Sequence, residues 1–344
     1  MRIGYLGWGN SPCNHRRFAK ISHLAGLLAE PYNPDRFYDV VVVTQNSDLT
    51  AWSRIPRSGP KLIFDFVDSY LQVGRFDLRG ALRGLAKFAG GQHRYLELNY
   101  RCSLERMLVR ADAVVCSTPE QKDDCLKFNS NTHDILDLNS DQVRCCKSNY
   151  KITDTVHLAW EGMGANAWAF QEIAPVLKEI HARRRIALHL VTDLKYRSHG
   201  GPFAWHREAK PYLQNILSEI PVFLYEWNAQ MLSTICINCD IAVLPIPREP
   251  PIYWAKPENR LLMLWQMGLP VIASATPAYA RCMRAAGNQQ VCLTQNDWKQ
   301  QLESLLSSEA IRRESARRGL EYSKQNVSLE TLSQKWFKVI ESVL

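Results

Sequence analysis

The sequence reads as one without an uninterrupted membrane-spanning run, a secretory leader or a framework of paired cysteines, and each expected absence disfavours a class of protein. Leu261 to Ala280 carries no charge and has the length of a span, but Gly268 and Pro270 break it in the middle and Ser274, Thr276 and Pro277 follow. It reads as helix, tight turn, short strand and second helix. The opening Met1-Arg2-Ile3-Gly4-Tyr5-Leu6-Gly7 is too short an apolar run for a signal peptide, so a cytoplasmic protein is expected. The 10 cysteines then read as reduced thiols, most of them small buried apolar residues. Cys236 and Cys239 form a lone C-x-x-C in an apolar, helix-like run with no second pair at metal-ligand spacing, which favours core packing over zinc.

What is present is ample core material. Apolar residues make up 46% and charged residues 22% of 344, with 10 tryptophans, 13 tyrosines and 11 phenylalanines. The length is about twice the roughly 150 residues of one domain, so two domains are expected. A formal charge of +8 is modest on this length and favours a phosphate-bearing partner rather than nucleic acid. The aromatics are not interleaved with lysine and arginine as single-strand platforms require. Arg183-Arg184-Arg185, Arg312-Arg313 and Arg317-Arg318 lie on or after helices and read as solvated faces.

Short β-branched or aromatic runs alternate with polar loops and helical-length segments, the signature of βαβ units around parallel sheets, and the pattern occurs twice. Strands are expected at Arg2 to Leu6, Tyr38 to Thr44, Leu62 to Phe66 and Ala113 to Ser117, then at Thr155 to Trp160, Ile186 to Val191, Val222 to Tyr225, Ile241 to Pro245 and Val271 to Ser274. The non-periodic stretch from Asn139 to Asp154 reads as the linker between them. The tail from Asp297 reads as two or three amphipathic helices, and Trp336, Phe337, Ile340 and Val343 form a stripe that needs burial. The expectation is an α/β protein of two Rossmann-like domains, 1–150 and 151–325, with 326–344 packing back on the first.

In such sheets, ligands sit beyond the carboxyl ends of the strands. The first junction, Gly7-Trp8-Gly9-Asn10-Ser11-Pro12, has glycines that let backbone approach a ligand. Pro12 stands where G-x-G-x-x-G wants its third glycine, and no acid ends the second strand at Thr44-Gln45-Asn46, so a nicotinamide dinucleotide is disfavoured. The richest junction runs from Pro245 to Arg260. Pro257 suits the first helical position, which puts the amides of Glu258, Asn259 and Arg260 in the first turn beside Lys256, as a diphosphate cradle or as an ordinary helix start.

Lys256-x-x-Asn259-Arg260, then Met267-Gly268-Leu269-Pro270-Val271-Ile272-Ala273-Ser274 and Pro277-Ala278-Tyr279, resemble the donor-site segment of GT-B glycosyltransferases, in the large, mostly retaining family 4 (group 1) type. His157-Leu158-Ala159-Trp160-Glu161-Gly162 with Asn166 is similar to the first strand and phosphate loop of that family's second domain. The similarity runs in order over most of 155–290; the first half matches only at Gly7 to Asn10, Phe64 to Asp68 and Val115 to Pro119. Family members often carry two glutamates eight positions apart before the Gly-x-Pro-Val turn, where Ala255 and Met263 stand here. Glu258, one turn earlier, is either a substitute for the ribose-binding carboxylate or a partner of the helix dipole.

The resemblance implies two domains facing across a cleft and transfer of a sugar from a nucleotide diphosphate to a hydroxyl of a glycan, lipid-linked glycan or secondary metabolite, with retention and without metal or other cofactor. It implies donor contacts from Gly7, Gly9, Asn10, Gly162, Asn166, Lys256, Glu258, Asn259 and Arg260, and Trp227, just past its strand, packs either against the nucleobase or into core or loop. Lys195 or Arg197 is the candidate for the cations missing between Gly162 and Phe170. On the acceptor side, Asp65 is expected at the acceptor, and Asp68 and His15 at the proton transfer, although an Asp after a strand also caps turns. Arg75, Arg79, Arg83 and Lys87 recur every fourth residue beside Leu78, Leu82, Leu85 and Ala89, a basic amphipathic helix that meets either water or an anionic membrane on the inner face. A non-catalytic binding protein and a nucleotide-sugar epimerase on the same plan stay open as alternatives.

Overall fold

The computed structural model describes residues 1–9, 11–74, 78–197 and 206–344, and of Pro12, Arg79, Arg197 and His206 the backbone only. Asn10, Arg75 and the side chains of Arg79 and Arg197, all singled out above, therefore lie outside the described residues. The chain divides into two compact units, Met1–Leu138 with Ala255–Pro257 and Asn326–Leu344, and Asn139–Trp254 with Glu258–Gln325.

The first unit holds six parallel strands, β1 (Ile3–Tyr5), β2 (Ala29–Pro31), β3 (Val40–Thr44), β4 (Lys61–Asp65), β5 (Ala113–Cys116) and β6 (Thr132–Asp134), in the order β2-β1-β3-β4-β5-β6. Strands β3 and β5 are buried throughout, as a sheet covered on both faces demands. Leu62, Phe64, Leu104, Met107 and Leu108 fill the core beneath β4 and the helix Tyr100–Arg110. The last helix, Leu329–Glu341, belongs to this unit and seats Trp336 on Phe18 with ring centroids 4.8 Å apart.

The second unit contributes β7 (Val156–Glu161), β8 (Ile186–Thr192), an antiparallel pair β9 (Lys195–Arg197) and β10 (His206–Glu208), then β11 (Val222–Glu226), β12 (Ile241–Leu244), β13 (Val271–Ser274) and β14 (Val291–Cys292). Its large sheet is parallel and ordered β11-β8-β7-β12-β13-β14. The charge-free segment resolves as read. Helix Asn259–Gln266 stops where Gly268 takes φ 72°, its amide bonded to the Trp265 carbonyl and that of Leu269 to Leu264, and Pro270 leads into β13. This is a Schellman stop, for which glycine suits the left-handed position. Among the described residues no helix is long and apolar enough to cross a membrane.

Two readings change. The stretch from Asn139 has no regular structure but is packed into the second unit, so the first segment of unit one ends at Leu138 and not at 150. Arg312 holds it there. It is buried, not solvated, and donates to the Tyr150 carbonyl at 2.9 and 2.7 Å while the Tyr150 hydroxyl donates to the carbonyl of Gly268. The basic helix forms as Leu78–Ala89, with its large apolar residues turned to solvent.

One polar ladder crosses the second sheet. The His157 and His189 rings meet at 2.9 Å, and His189 Nδ1 lies 2.9 Å from the Tyr225 hydroxyl. Burial, and then the neighbouring His157, push His189 down from 6.5 to about 4. The native state keeps this ring neutral while the unfolded chain protonates it at its ordinary value, so its contribution is complete above pH 6.5 and is lost as pH falls toward about 4. Urea midpoints followed across that window should fall less steeply for His189→Gln than for the wild type.

Candidate functional site

Strand order fixes where each unit can receive a ligand. In the second sheet the order reverses between β7 and β12, the classic three-two-one-four-five-six arrangement when its strands are numbered within the unit. The loops leaving those two strands therefore flank a crevice at their carboxyl ends. After β7 the chain turns at Glu161 and Gly162, and Gly164 follows with its amide 2.5 Å from Asp193 Oδ1. A Cβ on Gly162 would sit 2.6 Å from the Trp160 ring and 2.9 Å from Arg260 Nη1, so only glycine lets the two loops approach this closely. Arg260 Nη1 donates to the Glu161 carbonyl at 3.0 Å. Trp227, just past β11, donates its indole N–H to the buried Glu161 carboxylate at 2.9 Å. Asn166 lies half-buried in the turn that follows Gly164.

The structure thus brings Gly162, Trp227, Glu258, Asn259 and Arg260 of the expected donor set into one unit, with Glu161 as the organiser that sequence reading missed. The helix opens two residues later than Pro257 suggested. Glu258 is its N-cap, with no side-chain capping bond, and the first turn holds the amides of Asn259, Arg260 and Leu261, which have no acceptor within the helix. Glu258 Oε2 and Asn259 Oδ1 are buried there without a partner among the described residues. Glu258 Oε1 is committed to Arg281 at 2.7 Å and to the Cys282 thiol at 3.4 Å. Burial raises the Glu258 carboxyl, and the Arg281 charge opposes that rise. Lys256 is half-buried and belongs to the first unit, beside Ala255, whose carbonyl accepts from Ser69 Oγ at 2.8 Å.

In the first sheet the order reverses between β1 and β3. The loop after β1 is tied to the end of β3 by Thr44 Oγ1 on the Gly7 carbonyl (3.1 Å) and Asn46 Nδ2 on that of Trp8 (2.8 Å). Asn14 closes it from within, accepting from the Trp8 amide and donating to the Gly9 carbonyl, and Gly9 has the left-handed φ of 61°. Asp68 is half-buried and receives Gln45 Nε2 at 2.9 Å, while Gln45 Oε1 takes the amides of Val67 and Asp68. His15 is exposed at the end of the turn Pro12–His15.

Asp65, expected at the acceptor, is instead fully buried and consumed by Arg17. Arg17 Nε and Nη2 bind it at 2.9 and 2.5 Å, and Nη1 reaches Asp137 at 2.9 Å and the Ile135 carbonyl at 3.0 Å. This ion triad clamps the carboxyl ends of β4 and β6 and leaves Asp65 no exposed oxygen. Asp68 keeps an exposed portion; Asp65 does not. The ten cysteines are free thiols, Cys236 and Cys239 buried among them, and the described residues include no group of three or more potential metal ligands.

The architecture is the GT-B fold of two Rossmann-like units. Anabaena HepE, solved with UDP and glucose, matches with a TM-score of 0.64 at 11% identity, over 99% of this chain and 100% of that one. Sucrose-phosphate synthase from Thermosynechococcus elongatus matches at 0.59 with 13% identity, over 89% and 74%. S. aureus TarM, solved with Fondaparinux, alpha-GlcNAc-glycerol and UDP, matches at 0.59 with 10% identity over 93% of this chain, which spans only 57% of TarM. At these identities the likeness is one of fold. No protein-family model and no curated protein sequence matches the chain.

Two substitutions test the geometry. Asp65→Asn leaves the buried Arg17 without its strongest partner and should cost about 3–5 kcal/mol in denaturant-derived stability. Gly162→Ala forces Arg260 or Trp160 aside and should cost about 1–3 kcal/mol by the same measurement.

Proposed function

We propose that the protein is a retaining glycosyltransferase of the family 4 type, moving a sugar from a nucleoside diphosphate to a hydroxyl on a glycan, lipid-linked glycan or secondary metabolite in the cytoplasm. One observation carries the reading. At the reversal point of the second sheet, the uncapped start of helix Asn259–Gln266, with buried polar atoms lacking partners, meets the Glu161–Gly162 turn and Trp227. The same fold in HepE was solved with UDP and glucose.

In the reaction, the bond from the anomeric carbon to the diphosphate oxygen breaks and the acceptor oxygen forms the new one. The largest electrostatic task is the charge growing on the diphosphate, which amides at a helix start and the Arg260 and Lys256 cations meet without a metal ion. Trp227, held edge-on by Glu161, offers a ring face to a nucleobase. Glu258 and Asn259 stand at that helix start, and their enclosed, unpartnered oxygens accept from a ribose or sugar hydroxyl only if the helix start shifts to admit it. On the first unit, Asp68, oriented by Gln45, is the group proposed to handle the acceptor proton, with His15 second and the Gly7–Gly9 loop beside them.

Thermal shift against a panel of nucleoside diphosphates tests this, since a ligand of the native state raises apparent stability. One of them should raise the melting temperature, and Lys256→Ala should weaken its binding about tenfold, a loss of about 1.4 kcal/mol, without lowering the melting temperature of the free protein. Incubation with the matching nucleotide sugar should release the nucleoside diphosphate and, by slow transfer to water, the free sugar, with or without EDTA; an epimerase would return an intact nucleotide sugar. No response to any nucleotide would refute the proposal.

A further inference from the structure

Helix Leu78–Ala89 is built unlike the other helices of its unit. It contains Leu78, Leu82, Leu85 and Phe88, three cations in Arg79, Arg83 and Lys87, glycines at 80 and 84, and no acid. At 100° per residue the large apolar side chains span an arc of about 120° and the cations a separate arc of about 80°. An amphipathic helix on a globular unit ordinarily turns its apolar arc to the core. This one rests on its glycine side. A Cβ on Gly84 would collide with the Glu97 carbonyl, so the helix backbone lies directly on the segment Glu97–Leu98.

The apolar arc is consequently outside, with Leu78 86%, Leu82 68%, Leu85 49% and Phe88 41% exposed. The supporting segment adds Tyr95, Leu96 and Leu98, also exposed. Seven large apolar side chains thus gather within 21 residues of chain, flanked by exposed Arg83, Lys87 and Arg94.

We infer that this helix and the segment Tyr95–Leu98 dock the protein on an anionic lipid surface, the apolar arc entering the acyl boundary and the cations meeting headgroup phosphates. Charge decides between occupants. In a symmetric pair of copies the same cations would confront one another across the twofold axis, whereas an anionic bilayer complements them and accepts apolar side chains without matched shape. The inference rests on the exposed face alone and not on the transfer reaction.

Sedimentation of the full chain with vesicles of phosphatidylcholine, with and without phosphatidylglycerol, tests it. The protein should bind the mixed vesicles and not the neutral ones. Leu82→Ser with Leu85→Ser should reduce the bound fraction about tenfold, and Arg83→Gln with Lys87→Gln should abolish the preference for phosphatidylglycerol. Both variants should keep the wild-type melting temperature and nucleotide response, because the altered side chains face solvent. Absence of binding, equal binding by the leucine variant, or a concentration-dependent dimer that the leucine variant abolishes would each overturn the inference.

Discussion

Parallel pairing governs this molecule. Every strand of both large sheets runs alongside its neighbours in the same direction, so each connection must travel back outside the sheet before the next strand begins. All the loops that leave carboxyl ends collect on one edge of each unit, and where the strand order reverses, two of them diverge and leave room. The Arg260 side chain from the start of Asn259–Gln266, the Glu161 turn and Trp227 meet because three strands separated in sequence end on that edge.

The two reversal points are finished differently. In the first unit, Thr44, Asn46 and Asn14 hold the glycine loop with side-chain hydrogen bonds to its backbone, and the nearby Arg17 triad is saturated. In the second, polar atoms of Glu258 and Asn259 are left buried and unmatched. Since an unmet buried polar group costs about 1–3 kcal/mol, the unsatisfied helix start is a local cost to the stability of the second unit.

The core strands were legible because sheets covered on both faces demand continuous apolar runs such as Val40 to Val43 and Ile241 to Leu244, and the turn after Met267 because Gly268 and Pro270 are strong punctuation. The edge strands β2, β6 and β14 were not, since Ala29-Glu30-Pro31, Thr132-His133-Asp134 and Val291-Cys292 are too short or too polar to register a period. Within the site, residue types near a junction could be named in advance, but their partners could not. Asp65 and Asp68 look alike in sequence, and only Arg17, 48 positions away, separates a sealed carboxylate from a half-open one. An arginine directly before the apolar helix start at Phe18 was the one available hint. Glu161 likewise gained its meaning from Trp227, 66 residues on.

The first unit is assembled from three separate pieces of chain, the last beginning at Asn326. Phe18, in the first of these pieces, has its aromatic partner Trp336 in the last, so the two can meet during synthesis only after the residues of the second unit have been made. The earlier-made half must therefore wait with an uncovered apolar surface, whereas the second unit needs no residue beyond Gln325 to complete its own contacts.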